Sequence, residues 1–185
     1  MSCTNISRGS TVEDCDLPQE GTRARLLLLN FSDVVRIYTN DDGKIVQIQM
    51  IPGTTPYEFT GFRNDVRKSE ESLKTTGNKK RFIHRCGFLI YEVDQLQKLN
   101  IKDIAKGRFI AIVESKGEDD DSLELLGRDC GLQIEAGQIR DAHNTSSVFT
   151  INISTPDNGV EHERKLPQTI GIDYESGVEI IDDLF

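Results

Sequence analysis

The sequence predicts a mainly β fold, a sandwich or barrel of antiparallel strands with one packed α-helix. Three observations carry that prediction. Short runs rich in Leu, Ile, Val and Phe recur along most of the chain, separated by Gly, Pro, Asn and Asp. One stretch, DQLQKLNIKDIAKG, combines a helical period with clear start and stop signals. The 36% apolar content of the 185 residues, without tryptophan, fits one soluble domain large enough to bury a core.

Residues 1–21 are polar, lack periodicity and include Gly9, Pro18 and Gly21, which predicts a flexible N-terminal arm preceding a single β domain over 22–185. RARLLLLN reads as a short strand covered on both faces, and DVVRIYT as a second strand after the turn Phe31–Asp33. NDDG at 40–43 supplies a hairpin turn, since Asp42 and Gly43 tolerate the positive φ such turns need. KIVQIQMI returns antiparallel, with Ile45 on the opposite face from Val46, Ile48 and Met50. YEFTGF is a further short strand, and the basic stretch after it, 63–81, shows no apolar period and reads as a long loop.

RFIHRCGFLIYEV gives a strand whose Phe88–Val93 part is apolar on both faces. The helix is expected over 94–106, with Asp94 as N-cap, Gln97 as its reciprocal partner and Gly107 as the stop. Leu96, Leu99, Ile101 and Ile104 form its inward face. Phe109–Val113 is another covered strand, GEDDD at 117–121 a solvated turn, and DSLELLGRDCGLQIEAGQ a hairpin in which Gly127, Gly131 and Gly137 allow bulges or close approach. In VFTINIS, Phe149, Ile151 and Ile153 face the core. Near the end, Tyr174, Val178, Ile181 and Leu184 recur at helical spacing, although Gly177 weakens a helix there.

No window approaches the ~18 consecutive apolar residues of a spanning helix, and the first ten residues lack the apolar stretch of a secretory signal, so a cytosolic product outside the membrane is expected. Cys3, Cys15, Cys86 and Cys130 form no CxxC pair; Cys86 and Cys130 read as small core residues, and Cys3 and Cys15 as reduced thiols in the arm. His84, His143 and His162 share no ligand spacing and read as isolated surface groups. The chain carries −9 overall, yet residues 63–85 carry +5, so the remainder carries −14. That balance disfavours nonspecific DNA binding by the body of the chain.

Signatures for nucleophilic, zinc-dependent, phosphate-loop and dinucleotide chemistry are all missing, and no carboxylate pair is set apart from the general acidic surface. No active site, metal site or cofactor is therefore expected. MSCTNI, LLLLNFSDV, GFRNDVRKSEE, GRFIAIVESKG and STPDNG with KLPQTIG, spread over nearly the whole chain, resemble the major tail tube proteins of tailed bacteriophages. The resemblance implies a tail-tube-like fold and a virion structural protein, assembled in the host cytoplasm into rings, usually of six subunits, that stack into a tube. Its implied partners are other copies of itself, other tail proteins such as the tape measure, the tail terminator and the baseplate or hub, and double-stranded DNA passing through the lumen without specific binding. A related injection-machine tube would share the fold.

Within that reading, the basic loop is the expected inter-subunit arm, carried by Arg63, Arg67, Lys68, Lys74, Lys79, Lys80 and Arg81, whose charge is opposite to the body of the chain. The rival class is a cytosolic β domain that binds a protein partner or small ligand through the same loop, and it predicts a monomer with a pocket. A nucleic-acid module would use the same cations but lacks interleaved aromatics, with only Phe62 and Phe82 nearby.

Overall fold

The computed structural model describes residues 25–60, 66–76, 79–90, 95–114, 122–136, 149–156, 163 and 165–185, with backbone alone at 60, 66–76, 79–81 and 96–97. The arm 1–21, the acidic turn 117–121 and Gly137 lie outside these residues. The chain is mainly β, in antiparallel sheets, with two α-helices among the described residues.

A five-stranded sheet forms the middle layer, in the order β11 (Gln168–Thr169), β8 (Leu123–Leu126), β7 (Phe109–Glu114), β1 (Arg25–Asn30), β4 (Tyr57–Thr60). The apolar runs of β1 and β7 are buried on both faces because each face has its own cover. Leu26 and Leu28, opposite Val113 and Ala111, enter one core; Leu27 and Leu29, opposite Ile112 and Ile110, enter the other. A period of two thus divides one strand between two cores.

The first core is closed by a four-stranded sheet in the order β5 (Val66–Thr76), β6 (Lys79–Ile90), β10 (Phe149–Ser154), β9 (Gln133–Ile134). Cys86, Phe88 and Ile90 of β6 and Phe149, Ile151 and Ile153 of β10 point into it, and the Phe59 and Phe88 rings meet with centroids 5.0 Å apart. Helix α1 (Gln95–Ile104) adds Ile101 and Ile104 to this core. Two details depart from the expected helix. Leu99 is 48% exposed, so it does not belong to the packed face. Leu96 lies outside the described side chains, and Asp94 outside the described residues.

The second core is closed by the hairpin of β2 (Val34–Thr39) and β3 (Ile45–Met50) and by helix α2 (Tyr174–Asp182). The turn between β2 and β3 forms as expected: Asn40 Oδ1 accepts from the Lys44 amide at 2.9 Å, and Gly43 has φ 84°. The faces of β3 differ from simple alternation. Register shifts leave Val46 and Val35 without a cross-strand partner, so Ile45 and Ile48 share the core although they are three residues apart. Both extra valines face outward, Val35 at 59% and Val46 at 37% exposure.

The C-terminal periodicity is a real helix despite Gly177, so among the described residues a second helix joins the expected one. Asp173 caps α2 in a reciprocal box: its Oδ1 accepts from the Ser176 amide at 2.9 Å, and Ser176 Oγ accepts from the Asp173 amide at 3.1 Å. Hydrogen bonding from Ser176 also holds the Asp173 carboxyl below its ordinary value of 3.8. Gly177 is tolerated in mid-helix because the helix lies against the chain before it. A Cβ there would stand 2.6 Å from the Ile170 carbonyl oxygen.

The expected hairpin over 121–138 is also corrected, because β8 belongs to the middle sheet and β9 to the outer one. Gly127 and Gly131, at φ 77° and 68°, turn the chain from one layer to the other.

Candidate functional site

The stretch expected as a loop over 63–81 is a ribbon over most of its length. β5 and β6 run antiparallel with only Gly77 and Asn78 between them, and a Gly-Asn pair between two strands is a hairpin signal. The stretch lacks an apolar period because a two-stranded ribbon is held by backbone pairing and need not bury a face. One register shift, between Arg67 and Glu70, interrupts the ladder.

β10 pairs with β6 only over Arg85–Ile90, so the ribbon beyond Arg85 extends past the end of the outer sheet. Its root is fastened by buried polar groups. The His84 amide donates to Thr155 Oγ1 at 3.1 Å, and its carbonyl accepts from the Thr155 amide at 2.9 Å. The ring Nδ1 lies 3.2 Å from the Gly127 amide, which can only donate; Nε2 therefore carries the proton and donates to the Lys165 carbonyl at 2.9 Å. His84 is 2% exposed, which corrects its reading as a surface group; His143 and His162 lie outside the described residues.

Two residues further along β6, Phe82 and Glu163 exchange both backbone hydrogen bonds, at 2.9 and 3.1 Å. The buried Glu163 carboxylate then accepts from the amides of Asp129 and Cys130, at 2.9 and 3.0 Å, and from the Cys130 thiol at 3.2 Å. Glu163 thereby joins the ribbon to the turn that crosses between the layers. Nothing in the local string HERK marks it, since its partners lie more than thirty residues away. Arg85 and Glu135 add an exposed ion pair at 3.0 Å, of the kind that contributes little.

Backbone register separates the expected interface residues into two groups. Lys74 stands opposite Arg81, Thr75 opposite Lys80 and Thr76 opposite Lys79, so four cations gather at the ribbon's far end, and residues 72–81 contain no acid. Arg67 and Lys68 lie at the other end of β5, roughly 20 Å away at about 3.3 Å per residue. Arg63 is outside the described residues. Like charges placed directly opposite in a ribbon oppose its formation.

A separate open groove of about 250 Å³ lies on the side of the β2–β3 hairpin, lined by Phe31, Val34, Ile37, Arg36, Arg128 and Asp129 among others. Arg128 is already engaged there: its Nη1 donates to Gln168 Oε1 and its Nη2 to the Ile37 carbonyl at 3.2 Å. None of the expected interface residues lines this groove. Among the described residues, no group of three His, Cys, Asp or Glu side chains could hold a metal ion, and no helix is long and apolar enough to cross a membrane. The chain matches no protein-family model, no curated protein and no solved structure.

Proposed function

We propose that this chain is a structural subunit of a virion tail tube, assembling through its sheet edges into stacked rings around a lumen for DNA. The observation that carries the proposal is the outer edge of β5. Three of the four edges in the two larger sheets are short, with two residues in β11, four in β4 and two in β9. Short edges are a usual device against unwanted pairing. β5 is eleven residues long, and among the described residues no strand pairs with its far side. Its Lys, Arg and Glu residues discourage indiscriminate pairing while still admitting a partner of matching charge.

An edge of this length suits sheet augmentation, in which backbone pairs supply affinity and charges set register. Closing a ring would leave no such edge open. The acidic body suits passage of DNA, because like charge keeps phosphates from adhering to the wall. No catalysis and no cofactor enter this role; the partners are further copies and the tail proteins that begin and end a tube.

The test is negative-stain microscopy with sedimentation velocity over a range of concentration and salt. Rings or tubes are expected at raised concentration, with amide-exchange protection appearing along β5 on assembly. Compact monomers at every concentration and salt would overturn the proposal and direct attention to the groove beside Arg36 and Arg128.

A further inference from the structure

We infer that the basic end of the β5–β6 ribbon docks on the acidic outer face of helix α2 of a second copy, a contact that rests on the self-assembly reading above. The two surfaces are each electrostatically unfavourable alone and opposite in sign. On the ribbon, four cations gather within residues 72–81, with Lys74 directly opposite Arg81. On α2, Glu175, Glu179 and Asp182 recur at spacings of four and three, all exposed, and none makes an ion pair among the described residues. Residues 173–185 contain five acids and no base. Asp182 and Asp183 stand at the negative end of the helix dipole, where the last turn has no cation to offset them. A cationic partner would relieve that arrangement. Ile172 and Phe185, both exposed, flank the acidic face with apolar surface that a docked ribbon could cover.

The layer order makes the contact intermolecular. The ribbon springs from the sheet that closes the first core, whereas α2 closes the second core on the other side of the middle sheet. The ribbon's sheet and the helix thus lie on opposite sides of the middle sheet in one subunit. Complementary patches on opposite faces make a head-to-tail contact, which propagates into a closed ring or a stack. Single exposed charge pairs are weak, so the contact depends on several acting together and on repetition through the assembly.

The test uses two full-length variants. One reverses the ribbon (Lys74→Glu, Lys79→Glu, Lys80→Glu, Arg81→Glu), and the other reverses the helix (Glu175→Lys, Glu179→Lys, Asp182→Lys) while leaving the Asp173 cap intact. Circular dichroism checks that each folds, and sedimentation velocity at low salt reads assembly. Each variant alone is expected to need at least a tenfold higher concentration than wild type to assemble. An equimolar mixture should recover assembly, since each variant's ribbon then meets a helix of opposite charge. Zero-length carbodiimide crosslinking of the wild-type assembly provides a second readout that needs no variant, with links expected between Lys79 or Lys80 and Glu175 or Glu179. If the wild type assembles but no such links form, or the helix variant assembles as wild type does, the docking inference falls while the tube reading stands. If the wild type never assembles, both fall.

Discussion

Gly177 places two physical effects in opposition. In an exposed helix interior, replacing Gly with Ala stabilises by about 1 kcal/mol. Here the new methyl would meet the Ile170 carbonyl oxygen at 2.6 Å and Leu123 Cδ1 at 2.8 Å, so Gly177→Ala is expected to lower the denaturant midpoint. Cys86 gives a second prediction. Burial pushes its thiol up to about 12 from 9.0. The folded state therefore holds this proton more tightly than the unfolded chain; its contribution to stability is complete below pH 9 and is lost as pH rises toward 12. Stability should fall by on the order of 1 kcal/mol per pH unit in that window, and Cys86→Ala should remove that slope from denaturant titrations relative to wild type. That Cys86 and Cys130 are core residues was legible from their type and isolation. The burial of His84 and Glu163 was not, because a polar side chain goes inside only when distant partners satisfy it, and Lys165, Gly127 and Asp129 are distant in sequence.

Helix α1 separates pattern from packing. Ile104 is fully buried, so Ile104→Ala should cost ~2–5 kcal/mol, whereas Leu99→Ala should change stability by less than ~0.5 kcal/mol, as denaturant midpoints would show. Equal losses at the two positions would contradict the observed face. The existence of this helix followed from its period, but the limits of its buried face did not, because an apolar residue near the edge of the stripe can turn either way. Most strands were legible for a similar reason: β1, β7 and β10 carry apolar residues that only burial can satisfy. The ribbon was hidden by the opposite property. Its residues are polar, and its cross-strand pairs join positions whose side chains show no common pattern. Helix α2 was visible as spacing but obscured by Gly177, whose reason for being there lies in Ile170 and Leu123.

At the level of the whole fold, three layers follow from two strands with no polar face. β1 and β7 have to be covered twice, and the sequence indicates that much. Which elements provide each cover was not legible, since β6 and α2 both look like ordinary amphipathic neighbours. In the proposed assembly the layer order would set the geometry, because the root of the ribbon and the acidic helix lie on opposite sides of the middle sheet. The same central position of β1 has a kinetic meaning. Arg25–Asn30 is made early, yet it pairs with Phe109–Glu114, which reaches it only after most of the chain has been synthesised. Distant pairing of this kind slows folding, since the loop between the strands must close before the contacts form. During that interval the run of four leucines has only the short β4 to pair with and its β7 side is open, a state prone to pairing with other nascent chains. The chain's risk of aggregation is thus greatest before it is complete, while β1 still waits for β7.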